Sequence, residues 1–385
     1  MTLGIGLWFS QRGLGGGGTA PVISATPLLT DNAIDVTGDL PMTFHYTNTA
    51  SATPPSAATI KAAPDSRSLV SGANSLTGLT QEVTAGTWYF HYLVSNAAGD
   101  SAIETESYVV VAAFDPASLS GARVVVDISD MATLWQDTAG TTQITASGQT
   151  VGSVTNRGSL GGLFVNTGGS DEPTYTEAAG RKYLNFDGVN DFLTLTHGSD
   201  VSLAGGYRLF LVAFDDGTSN DLRRSFASMA GTGVTAYNQV NGLSAIMTDF
   251  GSDPLAIHIR AGTDNTQGFE TQLQDTRTTT LPWAVVEVEF VPTAASPNGW
   301  LRVEKSGDGA PVDIASHSTA NGGSSYPDFA TQVRRFTLGA DMGGGSGALS
   351  AFGKSSIAAF VIVAGTLTNG ERDDLRAWCR ARAVF

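Results

Sequence analysis

Two carboxylates stand two residues apart in Glu287-Val288-Glu289, and three oxygen-bearing side chains, Asp187, Asn190 and Asp191, fall close together in a second stretch. Glycoside cleavage is a chemistry that needs two carboxylates, a proton donor and a second group flanking the scissile bond. The Asp/Asn group suggests Ca²⁺, a hard ion that takes oxygen ligands from a loop. Each pattern also has a plainer origin. In Val286 to Phe290 apolar residues alternate with glutamates, as on a strand with one buried and one wet face, so solvation accounts for the pair. Asp-Gly-x-Asn-Asp is also good hairpin chemistry, because Asp and Asn bond nearby backbone and Gly accepts positive φ. No metal is therefore assigned, and Asp187, Asn190 and Asp191 stand only as weak Ca²⁺ candidates.

Other chemistries find less support. The five histidines, His45, His91, His197, His258 and His317, never fall at ligand spacing, so zinc is not indicated. Gly353-Lys354-Ser355 lacks the first glycine of a phosphate loop and leads into a strand. Cys379 falls on the apolar face of a helix and reads as a small buried hydrophobe. No catalytic residue and no cofactor is assigned. Tyr237 and Tyr326, in the polar loops 232–241 and 321–328, offer rings that could stack on sugar faces; ordinary loop packing is the plainer reading.

The elements that must position these groups are almost all strands. The chain has 385 residues with 46 glycines, 21 Lys+Arg and a formal charge of −15. At about 150 residues per domain the length suggests two or three domains. The acidity argues against nucleic-acid binding, which needs a basic surface. A single cysteine excludes an intrachain disulfide, and no apolar run is long enough for a membrane-spanning helix. Residues 1–19 read as an apolar peptide (Leu3, Ile5, Leu7, Trp8, Phe9) on the flexible tether Gly15 to Gly18. The peptide lacks a basic leader and a small-residue cleavage site, so it is expected to be retained. Residues 20–112 read as a small antiparallel sandwich, with strands at Ile34 to Val36, Met42 to Tyr46, Thr59 to Ala63, Thr87 to Val94 and Glu106 to Val111. Residues 114–385 read as a larger sandwich, with strands at Lys182 to Phe186, Phe192 to Leu195, Tyr207 to Phe214, Leu243 to Met247 and Leu255 to Ala261. Further strands are expected at Ala284 to Phe290, Trp300 to Lys305, Phe336 to Ala340 and Ile357 to Val363. Thr368-Asn369-Gly370-Glu371 has capping-box spacing and opens a closing helix over 369–382, pinned by Leu375 and Trp378.

Thr87 to Asp100 resembles the penultimate strand and final turn of immunoglobulin-like and fibronectin type III-like modules. Leu184 to Leu193, with Phe186-Asp187-Gly188 and Asn190-Asp191-Phe192 at its centre, resembles the F-D-G-x-[DN]-D-[FY] hairpin of laminin-G-like, concanavalin A-like domains. Leu338-Gly339-Ala340 resembles their late L-G-A strand, and the capped helix their L-[ST]-x-x-E-R ending. The order of the three motifs also matches. Leu134 to Thr142 is similar to a lead-in found before such domains in tailed-phage structural proteins. The D-x-[ST]-G-x-G-N segment that follows there is replaced by Asn156 to Gly162. Laminarinase-like members of the fold carry E-x-D-x-x-E on one strand face; Glu287-Val288-Glu289 lacks the aspartate and the third acid.

The resemblance implies an all-β protein, an immunoglobulin-like sandwich followed by a concanavalin A-like jelly roll with a C-terminal helix. It implies a non-enzymatic component of a tailed phage or phage-like particle, a fibre or spike presenting a glycan- or receptor-binding domain for host attachment. Such a protein is made in the host cytoplasm and resides in the virion. It would be anchored to other virion proteins through Leu3, Ile5, Leu7, Trp8 and Phe9, form a homo-oligomer (a trimer for a fibre), and insert into no membrane. The alternatives are an envelope-polysaccharide depolymerase and a capsid decoration protein without receptor function.

Overall fold

The computed structural model describes residues 34–38, 41–69, 72–76, 86–96, 99–110, 113–166, 171–201, 203, 206–215, 223–231, 242–248, 256–262, 270–275, 281–290, 299–306, 312–314, 318–320, 333–342, 349–350, 352 and 354–384. The anchor peptide and both loop tyrosines, Tyr237 and Tyr326, lie outside them. The chain divides into two compact units, Met1–Ala113 and Phe114–Phe385. The fold is all-β with a closing helix, as the sequence predicts.

In the first unit, β1 (Ile34–Gly38) pairs with β4 (Gly72–Leu76). A second sheet joins β3 (Ser66–Leu69), β2 (Met42–Thr49), β5 (Gly86–Asn96), β6 (Gly99–Asp100) and β7 (Glu104–Val110), with β7 also against β5. Phe44, Tyr46, Phe90 and Tyr92 pack ring to ring in its core. The segment expected as a strand at Thr59 to Ala63 is instead a short helix, α1 (Ala57–Lys61). Ser56 caps it by accepting from the Thr59 amide at 3.2 Å, a local bond that favours a helix start over an extended chain. His91 is fully buried on β5, yet both ring nitrogens are satisfied. Nε2 faces the Ser51 carbonyl at 3.0 Å and must donate to it, while Nδ1 lies 2.9 Å from the Thr105 hydroxyl. Burial holds the His91 pKa below the ordinary imidazole value. It is a core histidine.

The second unit has three layers. The front sheet runs β23 (Ser318–Ala320), β19 (Glu270–Asp275), β18 (Ala256–Gly262), β17 (Gly242–Thr248) and β16 (Arg223–Gly231). It continues through β24 (Val333–Leu338), β14 (Leu193–Val201), β11 (Leu163–Val165), β10 (Ser153–Thr155) and β9 (Leu134–Trp135). The back sheet runs β12 (Thr174–Ala178), β13 (Arg181–Asp187), β27 (Lys354–Ala364), β15 (Tyr207–Asp215), β20 (Leu281–Phe290), β21 (Gly299–Lys305) and β22 (Val312–Ile314). The strand β8 (Ala122–Asp127) pairs with β27, and a small ladder joins β25 (Asp341–Met342) to β26 (Leu349–Ser350). All pairings among the described residues are antiparallel.

One core lies between the sheets, built from Phe186, Leu209, Val288, Phe336 and Phe360 among others. A second lies between the back sheet and α2 (Asn369–Ala383), where Leu375, Trp378 and Cys379 meet Phe210, Val212 and Val361. β27 is therefore buried on both faces, which explains its near-continuous apolar run Ile357 to Ala364. The capping box forms as expected: the Glu371 amide donates to Thr368 Oγ1 at 3.2 Å and the Thr368 amide to Glu371 Oε2 at 2.8 Å. Burial raises the Cys379 thiol pKa far above its usual value and keeps it inert.

The signature residues turn out to be joints of this framework. Gly188 sits at φ +78, and a Cβ there would lie 2.6 Å from Lys354 Cβ. Gly339 sits at φ +81, and its Cβ would lie 2.2 Å from the Phe186 ring. The F-D-G and L-G-A motifs thus close on one another, side by side with the Leu193–Leu338 pair. Asn156, from the segment that departs from the phage lead-in pattern, staples β8. Its Oδ1 accepts from the Val125 and Gly158 amides at 2.8 and 2.9 Å, and its Nδ2 donates to the Arg123 and Gly161 carbonyls.

Candidate functional site

The Asp187–Asp191 turn is built by its own backbone. Asp187 Oδ1 accepts from the amides of Val189, Asn190 and Asp191 at 2.7, 3.2 and 3.4 Å. Asp191 Oδ2 accepts from the Asp187 amide at 2.8 Å, and the Asn190 side chain donates to Asp171 Oδ1. Burial, with Asp187, Asp171 and Glu172 nearby, pushes the Asp191 pKa up to about 6. These oxygens face amide hydrogens, the geometry of a braced turn. Among the described residues no group of three or more His, Cys, Asp or Glu is arranged to hold a metal. The lead-in Leu134 to Thr142 is braced in the same way: Asp137 accepts from the amides of Ala139, Thr141 and Thr142 and from the Thr141 hydroxyl.

Glu287 and Glu289 do alternate with the core residues of β20, but the face they occupy is not wet. Helix α2 covers it, and Glu287 is 1% exposed. Arg376 Nε lies 2.7 Å from Glu287 Oε2, with Arg372 Nε 3.8 Å from the other oxygen. Glu289 is shared by Arg208 and by Arg372, the latter at 3.2 Å. Arg380 takes Glu304 through two contacts of 2.7 and 2.9 Å, and Arg382 takes Asp127 at 2.7 and 3.2 Å. Burial pushes the Glu287 pKa up while Arg376, Arg372 and Arg208 pull it down. Both glutamates are engaged in holding the helix to the sheet, and neither offers an open carboxylate pair. The sequence carried a signal for this: Arg372, Arg376 and Arg380 recur every fourth residue and so line one helix face.

A third cluster was not singled out in the sequence, because its members are far apart in the chain. Tyr183 on β13, Phe214 on β15 and Trp283 on β20 meet on the outer face of the back sheet, beyond the helix C-terminus. The Tyr183 and Trp283 centroids are 5.2 Å apart, edge to face, and Phe214 stacks on Trp283 at 5.6 Å. The Arg181 guanidinium lies 5.8 Å from the Trp283 centroid. All four side chains are half-buried, and Tyr183 and Trp283 pack against the core beneath α2, so each ring keeps part of its surface open to solvent.

A cleft of about 150 Å³ is lined by Ser129, Gly180, Lys182, Ala381 and Arg382. Its origin is topological. β15 takes one edge of β27 over most of its length, while β13 pairs the other edge at 354–357 and β8 at 359–363. The two strands part near Ala358, and the cleft opens beside their fork with the last turn of α2 as a wall.

No protein-family model and no curated protein sequence matches this chain. Among solved structures, the chain is similar to an α-L-arabinofuranosidase mutant soaked with 4-nitrophenyl α-L-arabinofuranoside, at 9% identity and TM-score 0.47, covering 68% of this chain and 63% of that one. It is also similar to the Ruminococcus gnavus sialidase CBM40 bound to α2,3 sialyllactose, at 16% identity and TM-score 0.29 over 46% of this chain and 90% of that one. A legume lectin-like domain from Entamoeba histolytica matches at 10% identity and TM-score 0.30, covering 50% of this chain and 87% of that one. The chain spans 60–63% of the length of the arabinofuranosidases it matches.

Proposed function

We propose that this chain is a non-enzymatic, glycan-binding component of a tailed phage or phage-like particle. The observation that carries the binding half is the half-open rim of Tyr183, Phe214 and Trp283. Preordered aromatic faces take the apolar C–H face of a sugar ring at low entropic cost, with polar groups alongside to fix its orientation. The non-enzymatic half is supported by the engagement of Glu287 and Glu289 in arginine pairs beneath α2. The particle assignment rests on the resemblances in Leu134 to Thr142 and in the hairpin, L-G-A and helix series. In this reading the first unit is a spacer and the protein is a homo-oligomer, a trimer for a fibre. Several copies of a weak site then act together by avidity. The apolar peptide Leu3 to Phe9 docks on another virion protein.

Trp283→Ala is expected to lower binding of the full chain to host cells by about tenfold or more; because Trp283 also packs against the core beneath α2, the variant loses stability as well, and its binding is read at a temperature where circular dichroism shows it folded. Unchanged cell binding overturns the rim as the site. Release of reducing ends from host envelope polysaccharide overturns the non-enzymatic reading. Deleting residues 1–12 is expected to leave the protein soluble while abolishing its incorporation into particles; wild-type occupancy by the truncated chain refutes the anchor.

A further inference from the structure

We propose that the glycan held at the aromatic rim is an uncharged oligosaccharide lying across the strands of the back sheet, with Asn185 as its central polar contact. This names the ligand class of the glycan-binding reading and rests on it. The strand register supplies the geometry, because directly opposed residues of an antiparallel pair share a face. Thr174 on β12 stands opposite Asn185 on β13, Asn185 opposite Ser356 on β27, and Ser356 opposite Phe214 on β15. Their chain neighbours Tyr175, Leu184, Ile357 and Ala213 oppose one another in the same way and lie in the core between the sheets. Side chains alternate along a strand, so the row Thr174, Asn185, Ser356 and Phe214 faces outward. Phe214 stacks on Trp283, so the row ends on the rim. Tyr183, two residues before Asn185 on β13, stands on the same face.

The middle of the row is open and polar. Asn185 is exposed and Thr174 is half-buried. Asn185 Oδ1 accepts from the Ser356 hydroxyl at 3.4 Å. Among the described residues its Nδ2 and the Thr174 hydroxyl have no hydrogen-bond partner. A side-chain amide and a hydroxyl each bring donors and acceptors, the complement of a sugar hydroxyl, which both donates and accepts. Rings at one end and an amide with hydroxyls along the floor are the two kinds of contact a sugar needs.

Length and charge define the ligand further. Neighbouring strands lie about 4.8 Å apart, so the row from Thr174 to Phe214 runs about 14 Å, the span of a short oligosaccharide rather than of one sugar ring. No member of the row ionises. Of the charges flanking it on this face, Arg181 donates to the carbonyls of Ala383 and Val384 at 2.6 and 3.1 Å. Asp187 stands opposite Lys354, so the far flank carries both signs. In a chain of formal charge −15, a row without cations of its own gives an acidic glycan nothing to offset long-range repulsion. A neutral one needs no such offset.

The test is binding of the fluorescently labelled full chain to an array of neutral oligosaccharides, from mono- to hexasaccharide, printed beside uronate- and sialic acid-bearing ones. Signal is expected on neutral chains of about three sugars or more, the length of the row. Asn185→Ala and Asn185→Val, the second a better strand former, are each expected to weaken the best neutral ligand about fivefold in titration. The exposed position should leave the unfolding midpoint unaltered. Signal confined to acidic glycans overturns the neutral assignment, and monosaccharides bound as tightly as longer chains overturn the row. If both Asn185 variants bind like wild type while Trp283→Ala still loses the signal, the amide is no contact and the rim stands alone. Binding that is indifferent to Trp283→Ala, or no glycan bound at all, instead overturns the reading beneath.

Discussion

Carboxylates are satisfied in two different ways in the second unit. In the Asp187–Asp191 turn the partners are backbone amides a few residues away, at 2.7 to 3.4 Å. Beneath α2 they are guanidinium groups brought from elsewhere in the sequence, Arg372 and Arg376 onto Glu287 and Glu289. An amide is a fixed dipole with no charge of its own, so it braces a turn without paying for an ion. A buried guanidinium must be matched, and removing either partner strands the other in a low-dielectric layer. The same residue chemistry is therefore tolerant in one place and unforgiving in the other.

The largest expected effect lies in the unforgiving place. Arg376→Met leaves Glu287, 1% exposed, with only the more distant Arg372, and should cost about 3 kcal/mol in urea unfolding. The double variant Glu287→Met/Arg376→Met should recover most of that loss, because both charges then leave together. A single variant as stable as wild type would mean that the lattice under the helix contributes orientation and little energy.

Next in size is a pH effect that separates the two kinds of site. Burial raises the Asp191 pKa from 3.8 to about 6, so the folded state prefers the protonated acid. The stability this gives is full below about pH 3.8 and is lost as pH rises through 6. Asp191→Asn keeps an acceptor for the Asp187 amide and cannot ionise. The variant should match wild type near pH 4 and exceed it by about 2 kcal/mol near pH 7. Equal stability at both values would show that Asp191 is not held in its neutral form.

The same division marks what could be read from the sequence. The Asp187 turn, the Thr368 capping box and the apolar run of β27 are local, and their chemistry is complete within a few residues. The pairing of Glu287 with Arg376 joins the interior of β20 to a helix near the C-terminus. Alternation in Val286 to Phe290 gives the face correctly and cannot say whether water or a helix covers it. The every-fourth arginines of α2 were the missing half of that inference. At α1 the local signal decides against the strand expected at Thr59 to Ala63: Ser56 caps a helix by accepting from the Thr59 amide. The rim of Tyr183, Phe214 and Trp283 is assembled by sheet order alone, so no single stretch announces it. The L-G-A motif marks Gly339 in the sequence, while the reason for the glycine, the Phe186 ring against its Cα, needs the fold.

The smallest expected effect tests the forgiving place. Asp187→Ala removes the acceptor that three amides share, in a turn where water can reach part of the backbone, and should cost about 1 kcal/mol. Asp187→Asn restores a side-chain carbonyl in the same position and should return most of that stability, because the amides need an acceptor and not a charge. A Ca²⁺ site would behave otherwise, since a divalent ion depends on the negative charge of its ligands. Adding millimolar CaCl₂ should accordingly leave the unfolding midpoints of wild type and Asp187→Asn equal and unmoved. A midpoint that rises with Ca²⁺ in wild type and fails to rise in Asp187→Asn would convert the turn from a brace into a metal centre, and the pKa of Asp191 would then be expected to fall as the ion takes the place of its proton.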